Sequence, residues 1–147
     1  MVSSMIPCVC ARSSGGVRYQ RSRRSAAFQR GASFALLERL GSHRFDVAVS
    51  VPLVLEYEDA MLRHRGALSQ AEVRDIVDYI CSVARHHRVF FLWRPLLRDP
   101  NDDMVAEVAV AAGAQAIVTY NRRDFLGVEK FGLKIWSPQQ LLERTGK

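Results

Sequence analysis

From Gly31 onward, hydrophobic and polar positions alternate with a helical or a strand period over most of the chain. "SFALLERLG" sets Phe34, Leu36, Leu37 and Leu40 at helical spacing and stops at Gly41, which predicts a short helix. "RFDVAVS" alternates around Phe45, Val47 and Val49 and predicts a strand. "PLVLEYEDAML" follows as a helix, with Ser50 as its cap and Pro52 in the first turn, where a missing N–H costs nothing. Ser69 and Glu72 make a capping-box pattern ahead of "VRDIVDYICSVA", whose Val73, Ile76, Val77, Ile80 and Val83 share one face. His86 and His87 are expected to end that helix, where cationic side chains suit the dipole. "RVFFLW" has strand length, so Phe90, Phe91 and Trp93 are expected in the core rather than on a base-stacking platform. "DPNDDMVAEVAVAAG" predicts a helix entered through Pro100, Asn101 and Asp102 and closed by Gly113. "AQAIVT" and "KIWS" predict further strands, with Trp136 in the core, and "PQQLLER" a terminal helix begun by Ser137 and Pro138.

Strands separated by helices predict an α/β domain of three layers, a mostly parallel central sheet flanked by helices. Ligands in such folds bind beyond the carboxyl ends of the strands. Polar residues collect at those ends. Ser50 leads into the helix bearing Glu56, the run from Asp99 to Asp103 follows "VFFLW", and Thr119, Asn121 and Asp124 follow "AIV".

Composition adds a partner class and a puzzle. The 147 residues suffice for one domain, and their net charge of +6 favours polyanionic partners. Cys8, Cys10 and Cys81 are odd in number and no secretory h-region precedes them, so reduced thiols in a cytoplasm are expected. They have no Cys or His partners at zinc spacing, and no apolar run approaches a membrane span. The puzzle is the lead. The first acidic residue of the chain is Glu38, and "VRYQRSRRSAAFQRGAS" is rich in arginine. Its composition is that of a transit peptide, or of a basic tail that binds nucleic acid through phosphates.

Glu56, Asp102 and Asp124 lie on different elements and could converge at one edge of the sheet. Converging carboxylates repel, so a fold keeps them together mainly to hold a cation or to raise a pKa. Oxygen ligands without His or Cys select Mg²⁺ or Mn²⁺, ions that activate water and stabilise charge on a phosphodiester. The same residues also have ordinary readings. Asp102 suits a helix cap, Asp103 a first turn, Glu56 a solvated helix face and Asp124 a turn. Spacing alone leaves both open.

"VSVPLVLEYEDAML", "RDPNDDMVAEVAVAAGAQAIVTYNRRDF" and "KIWSPQQLL" together resemble the PIN-domain superfamily, nearest its bacterial branch of VapC-type toxins from toxin–antitoxin pairs. The resemblance spans Gly31 to about Arg144 and is most specific from Asp99 to Phe125. It implies a PIN-like domain over residues 31–147, after an atypical lead over 1–30. It further implies a ribonuclease with Mg²⁺ or Mn²⁺ in a carboxylate cluster. On this chain the metal positions fall on Glu56, Asp102, Asp103, Asn121 and Asp124, with Glu56, Asp102 and Asp124 as the catalytic acids. Thr119, Arg122 and Arg123 would hold the RNA. The implied partners are RNA, a small antitoxin protein that blocks the site, and a second copy in a homodimer.

One departure is large. The family begins with a buried strand ending in Asp-Thr-Asn, whose Asp is the central metal ligand. Here it should fall near Val17 or Arg18, and no acid is there. Read one nucleotide downstream, the codons allowed from Arg18 to Gln29 can spell "DTNVLVALL", the required strand in the required place. A shifted frame therefore accounts for the residues before about Arg30, which are then expected to be irregular or poorly packed. A well-buried N-terminal strand at the centre of the sheet would count against it. Two functions follow: a metal-dependent endoribonuclease impaired by loss of its first acid, or a non-catalytic remnant that binds antitoxin or RNA, its sheet centre exposed or refilled by residues such as "MIPCVCA".

Overall fold

Alternation within very short strands sorts the core into two layers. The structure, a computed structural model, describes residues 8–10, 32–42, 44–63, 68–90 and 95–145. In β2 (Asp46–Val49), Val47 and Val49 join one buried cluster and Ala48 the other. In β4 (Ala116–Val118), Ala116 and Val118 go one way and Ile117 the other, and in β5 (Lys134–Trp136) Trp136 and Ile135 divide likewise. Successive side chains of a strand point to opposite faces, so each strand supplies both layers.

One layer holds α4 (Pro100–Ala111), whose Val105, Ala106, Val108 and Ala109 are all buried. Small residues at these positions let the helix lie close to the sheet. The other layer holds α1 (Ala32–Arg39) and α5 (Pro138–Thr145), which bring Leu36 and Leu141 onto Val49, Val118 and Trp136. Arg144 stacks over the Trp136 ring at 4.6 Å. The helices α2 (Val51–Arg63) and α3 (Gln70–Val83) pack on each other through Met61, Val73 and Val77. Ser69 and Glu72 form the expected capping box at the start of α3.

The strand order is β3-β2-β1-β4-β5, with β3 at Arg85–His86 and β1 at Cys8–Cys10. β2 pairs with β3 and β4 with β5 in parallel, while β1 is antiparallel to both neighbours. Four strands thus run one way and the central one runs against them, which keeps the sheet mostly parallel.

β1 revises one expectation. A strand of "MIPCVCA" fills the sheet centre, so irregularity before Gly31 fails at Cys8–Cys10, and that strand counts against the frameshift account. Arg18 to Gln29 lie outside the described residues. A second correction concerns β3. The edge strand is Arg85–His86 and Arg88–Phe90 are not in it, because α3 ends at Val83 and the extended backbone of Ala84 leads straight onto the edge of β2. Arg85 secures that pairing by binding Asp46 of β2 at 2.9 Å. His86 is therefore a strand residue and not a helix end, and Phe90 is 79% exposed rather than core. Phe91 and Trp93 lie outside the described residues.

Candidate active site

The parallel strands β2 and β4 carry their chains to opposite sides of the sheet, β2 onward to β3 and β4 onward to β5. That divergence is a topological switch point, the place where open α/β sheets bind ligands. A cavity of about 150 Å³ opens there, between α2, α4 and the loop after β4. Its walls follow from helix geometry. Ser50 caps α2, its hydroxyl accepting from the Leu53 N–H at 3.4 Å, and Leu53, Glu56, Tyr57 and Ala60 then share one face. Asn101, Asp102 and Val105 come from the first turns of α4, and Thr119, Asn121, Asp124 and Phe125 from the segment after β4.

The residue capping α4 is Asp99, not Asp102. Its carboxylate accepts from the Asn101 N–H at 2.9 Å, and Pro100 occupies the first helical position. Asp102 and Asp103 consequently sit side by side in the first turn, and the helix sends their side chains in different directions. Asp102 faces the cavity. Asp103 is 1% exposed and accepts from the backbone N–H groups of Leu97 at 2.6 Å and Leu96 at 3.2 Å. It anchors the segment before α4 and is not among the residues that line the cavity.

Glu56 lines the cavity but already has a cation. Arg63, two turns further along α2, binds its carboxylate at 3.0 Å and that of Asp59 at 3.3 Å. Thr119 is buried and its hydroxyl accepts from the Asn121 N–H at 3.0 Å, which turns the chain toward the short 3-10 helix Arg122–Phe125. Arg122 and Arg123 are exposed on that turn, beside the cavity rather than in it. Glu56, Asp102, Thr119, Asn121 and Asp124 are therefore brought to one pocket, and Asp103, Arg122 and Arg123 are not. Sequence reasoning missed Asn101, Tyr57 and the apolar wall. The signal was available in the helical spacing of Tyr57 and Ala60 from Leu53.

Electrostatics mark Asp102. Burial, then the carboxylates of Asp99, Asp124 and Asp103, push it up to about 6 from an ordinary 3.8. The raised value sets a pH dependence. Below about pH 4 the group is protonated in folded and unfolded chains alike, and as pH rises through about 6 the folded chain must carry a charge its surroundings oppose. This group's contribution to stability is thus lost between those values. Because Asp102 is only half-buried, Asp102→Asn should stabilise the protein at pH 7.5 by about 1 kcal/mol and have little effect at pH 4. Urea unfolding at both pH values checks this.

A hard divalent cation suits the donors in this pocket, which are carboxylate, carboxamide and hydroxyl oxygens with uncompensated negative charge at Asp102. Among the described residues no three acidic, His or Cys side chains gather closely enough to hold a metal by themselves. The carboxyl end of β1, Cys10, pairs with Asp46 at the opposite edge of the sheet from this cavity.

Fold and pocket together define an α/β protein with a carboxylate-rimmed cavity at the switch point of its sheet. A family model of the PIN domain matches residues 20–123, most of the chain, and the chain belongs to that family. The PIN domain is a nuclease-type fold. The match begins after Val17 and Arg18, where the resemblance places the first acid. No curated protein and no solved structure matches the chain. Among the described residues no helix is long and apolar enough to cross a membrane.

Proposed function

We propose that this pocket is that of a metal-dependent endoribonuclease of the PIN type, a toxin of a toxin–antitoxin pair acting in a bacterial cytoplasm, impaired by loss of its first acidic ligand. The observation that carries the reading is the gathering of Glu56, Asp102, Asn121 and Asp124 on one cavity, where burial and then neighbouring carboxylates raise the Asp102 pKa. Asp102 and Asp124 would hold Mg²⁺ or Mn²⁺, with Glu56 and Asn121 across the cavity. The ion, when bound, supplies water of lowered pKa and a counter-charge for the phosphate. The chain's own residues do the rest. Thr119 fixes the turn that presents Asn121 and Asp124. Arg122 and Arg123, exposed on the same turn, meet the flanking phosphates of the RNA. Glu56 must leave Arg63 to serve as a ligand.

That ion pair, with the absence of a three-ligand group among the described residues, favours a second reading, a non-catalytic PIN domain that binds an antitoxin protein or RNA. A shifted reading frame before Gly31 fits the missing acid, although the central strand Cys8–Cys10 counts against it. The nucleotide sequence of that stretch decides the point.

Incubation of single-stranded RNA with the chain as it stands, with Mg²⁺ or Mn²⁺ and an EDTA control, tests the impairment. Very weak or no cleavage is expected. Strong EDTA-sensitive cleavage would show that the first acid is not needed here.

A further inference from the structure

Arg63 is the last residue of α2 and reaches back along it. Its nearest acidic partner is Asp59, one turn away, and a pair at that spacing is satisfied within the helix. The guanidinium does not stop there. The same terminal nitrogen, Nη2, that lies 3.3 Å from the Asp59 carboxylate lies 3.0 Å from that of Glu56. Glu56 is two turns back, about 10 Å along the axis, so the side chain must be drawn out to span the distance. Glu56 lines the cavity with Asp102 and Asp124, whereas neither Asp59 nor Arg63 does. One nitrogen is therefore shared between a carboxylate of the pocket and a carboxylate outside it.

We infer that Arg63 is a tethered counter-ion that competes with the divalent cation for Glu56, and that Asp59 is where it retreats when the cation enters. The inference rests on the metal-dependent reading of the pocket and names its regulation. A guanidinium and a divalent ion on one carboxylate repel each other, so entry of the ion drives Arg63 outward. The exchange is easy. The side chains of Arg63 and Asp59 are 53% and 62% exposed, and water weakens ion pairs of that kind. Because Nη2 already touches Asp59, giving up Glu56 does not leave the arginine without a partner. The latch holds Glu56 neutralised until an ion takes its place.

Mn²⁺ binding is measured by electron paramagnetic resonance, which reads the free ion, at about 0.15 M salt, where distant charges are screened. Arg63→Gln should bind Mn²⁺ roughly fivefold more tightly than the unaltered protein, about the most that an exposed pair is worth. Misfolding cannot produce a gain of affinity. Glu56→Gln added to Arg63→Gln should cancel the gain. Asp59→Asn removes the retreat and should weaken binding roughly two- to threefold, an effect that should vanish when Arg63→Gln is also present. Lys134→Gln, which removes an equal charge at the exposed start of β5, should leave the affinity unchanged.

Equal Mn²⁺ affinity in the unaltered protein and Arg63→Gln would overturn the latch while leaving the metal site in place. A gain on Arg63→Gln that survives Glu56→Gln, or an equal gain on Lys134→Gln, would do the same, since the effect would then be one of net charge. Weakening by Asp59→Asn to the same extent with and without Arg63 would overturn the retreat to Asp59. Absence of Mn²⁺ binding in every one of these proteins, Arg63→Gln included, would remove the metal-dependent reading itself and the latch with it.

Discussion

Replacing Arg18 to Ala26 with Asp-Thr-Asn-Val-Leu-Val-Ala-Leu-Leu is expected to turn a chain with little or no RNA cleavage into an active nuclease. The gain should be roughly a hundredfold or more, since loss of residues that merely support a metal's ligands already costs about ten- to a hundredfold. The reason is direction. Cys8–Cys10 now holds the central place between β2 and β4 and runs antiparallel, so its carboxyl end lies at Asp46, away from the pocket. A parallel strand in the same place, formed by the residues that lead into the restored Asp-Thr-Asn, would end at the pocket and bring that Asp beside Asp102 and Asp124. In the restored protein, Asp102→Asn should abolish cleavage again. Single-stranded RNA with Mg²⁺ or Mn²⁺ is the assay, and EDTA should silence it. A restored protein inactive on varied RNAs would leave the non-catalytic reading as the better one.

Asp103→Ala should destabilise the protein by about 3 kcal/mol, because two backbone N–H groups would lose a charged acceptor. Those groups belong to Leu96 and Leu97, and Leu97 is buried in the α4 layer of the core. Asp103→Asn should cost less, since the amide oxygen can still accept one of the bonds. Midpoints of urea unfolding give both values. A stability unchanged in Asp103→Ala would return Asp103 to the set of free carboxylates and reopen its role as a ligand. The contrast with Asp102 is the informative one. Two adjacent aspartates in one helical turn are expected to move stability in opposite directions when neutralised at pH 7.5.

That contrast shows where sequence reading stops. "DPNDDMV" announces a helix start with acidic residues in the first turn, and the helix is there. Which aspartate caps, which anchors the preceding loop and which faces the cavity depends on the rotation of α4 over the sheet. Side chains one residue apart on a helix point about a quarter-turn or more from each other, so a pattern that fixes the helix leaves their targets open. Glu56 is a similar case. Its place on the inner face of α2 follows from the spacing of Leu53, Tyr57 and Ala60, yet its pairing with Arg63 needed coordinates.

Strongly patterned elements needed no coordinates. The helices of Val51–Arg63, Gln70–Val83, Pro100–Ala111 and Pro138–Thr145, and the strands at Asp46, Ala116 and Lys134, follow from periodicity, caps and turn residues. These are local signals, written within a few residues of the structure they direct. The three-layer α/β class follows from their order. Tertiary structure decided the rest, because it turned on competition for one place between distant segments. Arg88–Phe90 have the composition of a strand, but the edge of β2 is reached first by Arg85 and His86, and Asp46 holds Arg85 there by charge. "CVC" has no strong pattern, yet it takes the sheet centre because β2 and β4 leave backbone N–H and C=O groups there that must be paired. Backbone pairing accepts either strand direction. Only the direction taken determines whether the end of the central strand reaches the carboxylates.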